Sequence, residues 1–230
     1  MGLFNPTQTL VDAGILDGFT DWHCHILPGV DDGFKTLEES LQILKEYEQA
    51  GLRSVWFTPH IMEDIPNKVP ALKEKFTELK SAYRGTMMLN LASENMLDSL
   101  FEERLQSGEL LPLEGRRLLV ETSFFNPPYD LDGMLKRIRN KGFYPVLAHP
   151  ERYMYMSPDD YERIKDIGVL FQLNLPSLYG SYGPDVQVRA ETLLKDGMYE
   201  LCGTDLHRIP SFRHLLEAKI RTKVIKQLPE

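Results

Sequence analysis

The sequence holds only two cysteines, Cys24 and Cys202, so it has no disulfide framework and nothing in it calls for an oxidising compartment. Positive charge is also in deficit: 26 Lys and Arg against 34 Asp and Glu leave a net charge of -8. That balance argues against nucleic acid as the main partner, although bound cations can reverse the local field around an anionic substrate. No apolar run approaches the roughly 18 residues of a membrane helix. The opening stretch MGLFNPTQTLVDAGILDGF lacks the basic segment and continuous apolar run of a secretory signal. Pro6 stands where a myristoylation signal needs Ser or Thr. The expectation is a cytoplasmic, soluble chain without membrane insertion.

What is present is ordinary globular material, 42% hydrophobic and 26% charged over 230 residues. With no composition break or long linker, the expectation is one domain over 1–230, in which 1–18 form an N-terminal extension. Short apolar or β-branched runs predict strands over 19–25, 54–60, 87–95, 117–123, 144–150, 169–175 and 199–207. Helical patterns fall between them, over 36–51, 68–84, 130–141, 158–167, 185–196 and 211–220. In the first, Thr36 and Glu39 form a capping box, Leu37, Leu41 and Leu44 predict the inward face, and Gly51 can end the helix. The pattern loosens between 95 and 116, where Gly108, Pro112 and Gly115 suggest an excursion.

Alternating strands and helices imply parallel strands joined by crossovers. Most of the strands stop on a residue able to bind metal: His23 and His25, His60, Glu94, Glu121, His149, and Asp205 with His207. An open doubly wound sheet gathers only residues near its switch point, whereas a barrel gathers all its C-terminal strand ends on one face. The even spread favours an α/β barrel.

An isolated His-x-His is more often a polar strand end than a ligand pair, and Asp31-Asp32-Gly33 alone is good turn chemistry. Yet five of the six histidines lie at predicted strand ends. Strand alternation turns His23 and His25 to one side, with Trp22 and Cys24 on the other. Glu121 follows the apolar LLV, so it is partly buried and needs a partner. Imidazoles mixed with carboxylates suit Zn, Mn or Fe(II), and so many donors call for two or three ions sharing bridging carboxylates.

Cys24 reads as a small buried hydrophobe. Cys202 and Arg208 in CGTDLHR match the spacing of a cysteine-phosphatase loop, but Asp205 in its middle would repel a phosphate dianion. Arg152 in HPERY is either a salt-bridge partner of Glu151 or a phosphate clamp at the mouth of the site. Arg208 and Arg213 compete for a second such role. Asn174 ends its strand in either a structural or a site role, and Tyr129, Tyr153, Tyr155, Tyr179 and Tyr182 offer a rim for an aromatic substrate.

HCHILPGVDDG with TLEES, then TPH, two strand-ending glutamates, AHPERY and GTDLH together resemble the polymerase-and-histidinol-phosphatase (PHP) superfamily. Within it the match, from about Asp21 to Arg213, is to the manganese-dependent tyrosine phosphatases of capsule and exopolysaccharide operons. The resemblance implies a distorted (β/α)7, TIM-like PHP barrel with up to three metals. It implies His23, His25, Asp32, His60, Glu94, Glu121, His149, Asp205 and His207 as ligands, Mn2+ as the metal, and Arg152 with Arg213 as phosphate contacts. Asn95 departs from the family pattern, which has an aromatic or branched residue after the third-strand glutamate. The implied substrate is phosphotyrosine on the tail of a cognate bacterial tyrosine autokinase, with Asp205 or His207 available to protonate the leaving phenolate. The rivals are a small-molecule phosphoesterase such as a histidinol phosphatase, a cysteine-dependent phosphatase using Cys202 and Arg208, and an inactive barrel that regulates a kinase. An amidohydrolase shares the His-x-His opening but needs a bridging lysine, and no strand here ends on one.

Overall fold

The computed structural model describes residues 6–229. Met1 and Gly2, where a lipid anchor was weighed, lie outside them. The first half of the chain runs β1 (Thr7–Gln8), β2 (Thr20–Cys24), α1 (Leu37–Gln49), β3 (Ser54–Phe57), β4 (His60–Ile61), α2 (Val69–Ala82), β5 (Met88–Leu91), β6 (Glu94–Met96) and α3 (Phe101–Ser107). The second half runs β7 (Arg117–Glu121), α4 (Leu131–Asn140), β8 (Tyr144–Ala148), α5 (Pro158–Asp166), β9 (Leu170–Asn174), α6 (Pro184–Lys195), β10 (Leu201–Gly203), α7 (Ile209–Glu217), β11 (Ile220–Arg221) and α8 (Thr222–Ile225). The expected excursion at 95–116 holds α3.

Capping fixes where the helices begin. Thr36 accepts from the Glu39 amide and Glu39 reciprocates, and Ser157 with Asp160 repeats the device at α5, just before Pro158. The buried stripe of α1 is Ser40, Ile43, Leu44 and Tyr47; of the expected face Leu44 is fully buried, while Leu37 and Leu41 are only half-buried. The helix is rolled inward because the Tyr47 hydroxyl donates to Asp21 Oδ2 at 2.8 Å, anchoring it beneath β2.

The strands form a six-stranded sheet, order β10-β9-β8-β7-β6-β4, a three-stranded sheet, order β2-β3-β5, and an antiparallel pair, β1 with β11. Every pairing in the two larger sheets is parallel. The predicted strand 54–60 is split into β3 and β4, and 87–95 into β5 and β6, so each contributes to both sheets. Pro59, lacking an N–H, sits at the first of these breaks. Hydrogen bonds bridge the seam: Thr58 N to Cys24 O at 2.9 Å, Ala92 N to Phe57 O at 2.8 Å, and Glu94 N to Pro59 O at 3.1 Å. At the other flank, Asp205 N donates to His23 O at 2.7 Å and His25 N to Leu206 O at 2.9 Å, tying the end of β10 to β2. The result is a mixed α/β fold around a curled parallel sheet.

Side chains sort by strand period. Leu118, Val120 and Leu147 belong to the main core, whereas Leu119, Val146 and Ala148 join a smaller cluster with Leu201, against which Trp22 and Trp56 pack. Glu121 shares the Leu119 face, so it emerges on the inside of the curl. Trp22 is a correction: a register shift between Asp21 and Cys24 breaks the alternation, so Trp22 joins the smaller cluster while Cys24 packs in the main core. The segment before β2 is also more than an extension. Leu10 and Leu16 are buried in the main core, and β1 pairs with β11 near the other end of the chain.

Candidate metal centre

The C-terminal ends of the strands converge. His23 Nε2 lies 3.1 Å from His25 Nε2, and Glu94 Oε2 lies 3.2 Å from the first and 3.3 Å from the second. Glu94 Oε2 and Glu121 Oε1 also approach His60 Nδ1, at 3.1 and 3.0 Å. His149 Nε2 meets Glu94 Oε1 at 3.0 Å. Asp205 Oδ1 sits 3.5 and 3.4 Å from His23 and His25. Asp32 Oδ1 faces His207 Nε2 at 3.3 Å and His60 Nε2 at 3.5 Å. All nine residues implied as ligands are thus brought together.

Two close approaches shape the centre. A Cβ at Gly33 would fall 2.1 Å from His25 O, so only glycine lets the loop after β2 fold back and present Asp32. A Cβ at Gly203 would fall 2.5 Å from His23 Cβ, where β10 presses against β2. His149 and Asp205 follow their strands in the left-handed region, at φ 35° and 50°. Such conformations in non-glycine residues cluster at functional sites.

The donor set fits divalent cations. His23 Nδ1 donates to Gln172 Oε1 at 2.8 Å, His25 Nδ1 to Asp31 Oδ2 at 2.8 Å, and His207 Nδ1 to the Asp205 carbonyl at 2.8 Å. Each of these bonds leaves Nε2 as a lone pair aimed inward, the tautomer a metal requires. Glu94 Oε2, Glu121 Oε1 and His60 Nδ1 are buried without a hydrogen-bond partner. Three donor groups overlap: His25, Asp32, His60, His207; His23, His25, Glu94, Asp205; and His60, Glu94, Glu121.

The electrostatics demand positive charge. Burial opposes a charged His25, yet Asp31, Asp205 and Glu94 raise its pKa well above the ordinary value. Burial and the neighbouring His25 likewise oppose charge on His60, but Glu94 and Glu121 push it up to about 10.

The centre opens through Asp32, Asp205, His207 and Arg152 into a cleft of about 1070 Å³ that also touches Tyr179, Tyr182, Arg208 and His214. Arg152 pairs with Asp205 Oδ2 at 3.0 Å, not with Glu151, whose buried carboxylate binds Ser177, Tyr199 and the Asn174 amide. Arg213 is not in the cleft. It forms a two-point ion pair with Glu46 on the surface, while Arg208 lines the cleft. Asn174 Nδ2 donates to Asp205 Oδ2 at 2.9 Å and to Tyr182 Oη at 3.2 Å. Of the expected tyrosine rim only Tyr179 and Tyr182 line the cleft; Tyr153 is buried and Tyr129 fully exposed. Asn95, the departure from the family pattern, points into structure and binds the Leu119 carbonyl.

Cys202 lies in β10 with its thiol in the core, where burial and then the Glu151 and Asp21 carboxylates push its pKa up. A cysteine phosphatase needs the opposite shift. Cys24 is likewise buried, its thiol donating to Trp56 O at 3.4 Å.

Sequence reasoning missed the supporting residues. Asp31 orients His25, and Gln172 orients His23. Asp21, fully buried, receives the His23 and Thr204 amides and the Tyr47 and Thr204 hydroxyls. Gln172 alone carried a readable signal: with Asn174 it puts amides at period two in an otherwise apolar strand.

A curled parallel α/β sheet with imidazoles and carboxylates gathered at its C-terminal edge defines a metallohydrolase-type protein. The chain belongs to the capsular polysaccharide synthesis CpsB/CapC family, whose model matches residues 19–227. It is 26% identical over 196 residues to the tyrosine-protein phosphatase YwqE of Bacillus subtilis, covering 82% of this chain and 77% of that protein. It is 28% identical over 210 residues to the tyrosine-protein phosphatase CpsB of Streptococcus agalactiae, covering 82% and 83%. A solved structure from work on YwqE of Bacillus subtilis and CpsB of Streptococcus pneumoniae, described as unique metal-dependent tyrosine phosphatases, shares the fold. Its TM-score is 0.76 at 23% identity over 90% of both chains.

Proposed function

We propose that the protein is a metal-dependent protein-tyrosine phosphatase acting in the cytoplasm on a phosphotyrosine protein, a bacterial tyrosine kinase of capsule or exopolysaccharide synthesis. The observation that carries this reading is the convergence of nine imidazole and carboxylate residues into one centre, which opens through Asp32, Asp205 and His207 into a cleft beside Arg152. We take the seam-linked strands as a distorted (β/α)7 barrel of the PHP type. His23, His25, Asp32, His60, Glu94, Glu121, His149, Asp205 and His207 would hold two or three Mn2+ ions. Divalent ions in such a site supply Lewis acidity and make water nucleophilic at neutral pH.

The chain's own residues do the rest. Arg152, reaching the cleft from the end of β8, offers planar N–H donors to phosphoryl oxygens and offsets their charge. Tyr179 and Tyr182 present aromatic surface at the mouth, which suits an aryl ester. A phenol leaves with a pKa of about 10, so little acid help is needed. His207 sits at the rim with its Nδ1 proton held by the Asp205 carbonyl, so as a ligand through Nε2 it has no proton to give the phenolate.

The test is hydrolysis of a phosphotyrosine peptide and of histidinol phosphate with and without chelator. The expected result is peptide turnover abolished by EDTA and restored by Mn2+. Activity that survives chelation, or that prefers histidinol phosphate, overturns the reading.

A further inference from the structure

Arg152 is held by more than its ion pair. Its guanidinium carbon lies 4.0 Å from the ring centroid of Phe124 and 4.2 Å from that of Tyr182. Phe124 comes from the loop after β7 and Tyr182 from the turn before α6, so residues from two loops flank a group that follows β8. Both rings are themselves fixed. Phe124 stacks on buried Tyr153 with centroids 5.9 Å apart, and Tyr182 Oη accepts from Asn174, which also binds Asp205. Among the described residues, the guanidinium makes one side-chain hydrogen bond, from Nη1 to Asp205 Oδ2. Its remaining N–H groups make no side-chain hydrogen bond among the described residues, while the two rings crowd the guanidinium carbon.

A flanked fork of this kind accepts an anion edge-on, through two oxygens at once. A phosphomonoester has three non-bridging oxygens, so two can meet the fork while the third faces the carboxylate–imidazole cluster. A phosphodiester has only two, and cannot serve both. Resting on the phosphatase reading above, we propose that Phe124 and Tyr182 are positioning residues for Arg152, and that this clamp makes the site selective for phosphomonoesters over diesters.

The experiment compares Phe124→Leu and Tyr182→Leu with the ring-keeping Phe124→Tyr and Tyr182→Phe, all loaded with Mn2+. Four quantities are read: metal content, the inhibition constant of inorganic phosphate, KM against kcat for p-nitrophenyl phosphate, and the same pair for bis(p-nitrophenyl) phosphate. A diester that is not turned over is read by its inhibition constant. Loss of one cation–π contact should raise the phosphate inhibition constant and the monoester KM by about 3- to 30-fold. The monoester-to-diester ratio should fall by a similar factor, with metal content unchanged, Phe124→Tyr close to wild type, and Tyr182→Phe, which keeps the ring but loses the bond from Asn174, closer to wild type than Tyr182→Leu. Leucine variants with unchanged phosphate affinity and ratio overturn the proposal, as does loss of activity in step with loss of metal. If the wild type hydrolyses no monoester, the phosphatase reading has failed instead, and direct titration with inorganic phosphate still tests the clamp.

Discussion

Gln172 Oε1 accepts the Nδ1 proton of His23 at 2.8 Å, so a neutral amide on β9 fixes the tautomer of a histidine on β2. The amide nitrogen is spent in turn on the Leu173 carbonyl at 2.6 Å, which leaves the oxygen no choice but to face the imidazole. Removing such a support typically weakens metal binding about 10- to 100-fold. Gln172→Leu should therefore lower Mn2+ affinity by that factor in competition with a chelator, while saturating Mn2+ restores most activity. Unchanged affinity would mean that the imidazole needs no orientation.

The two candidate arginines after His207 part company in the structure. Arg213→Gln removes a solvent-exposed, salt-screened ion pair with Glu46 and should leave phosphopeptide kcat/KM unchanged. Arg208→Gln, at the cleft wall, should raise KM with kcat preserved. The reverse outcome would restore Arg213 as the substrate contact.

Neither thiol belongs to the chemistry. Cys202→Ser and Cys24→Ser should each keep full phosphatase activity under saturating Mn2+, at some cost in stability from placing a hydroxyl in the core. Abolished turnover in Cys202→Ser, with folding and metal content intact, would revive the cysteine mechanism.

How much was legible in the sequence follows from what each feature depends on. Strand ends such as His60 and His149 could be read because an apolar run stopping at a His next to a proline is a local signal. The breaks between β3 and β4 and between β5 and β6 could not, because they arise where strands pass from one sheet to another. Asp32 came only through family resemblance, and its neighbour Asp31 was not found at all. Both look like turn residues until Gly33 folds them over His25. Arg213 was misplaced for a similar reason: its partner Glu46 lies on another helix, 167 positions away in the chain.

The segment read as an extension tests tertiary burial directly. Leu16 is 2% exposed in the main core, so Leu16→Ala should destabilise by about 2–5 kcal/mol in denaturant unfolding, as for other core leucines. A change near zero would make residues 6–18 an appendage after all.

Metal removal should register in stability as well as activity, with opposite signs for one variant. Glu94 and Glu121 each bury an oxygen that no hydrogen bond satisfies, and a buried carboxylate without counter-charge is costly. Cations that bind only the folded state add RT ln(1 + [M]/Kd), about 2.7 kcal/mol at a hundredfold excess over Kd. For a chain of this size that corresponds to a rise of about 5–10 °C in Tm on refilling the chelated protein with Mn2+. Glu121→Gln deletes a charge that helps the loaded protein and burdens the empty one. Its Tm should lie above that of chelated wild type and below that of Mn2+-saturated wild type under matching conditions. A variant that melts lower in both states would show that Glu121 is held by packing alone, and that metal is not its counter-charge.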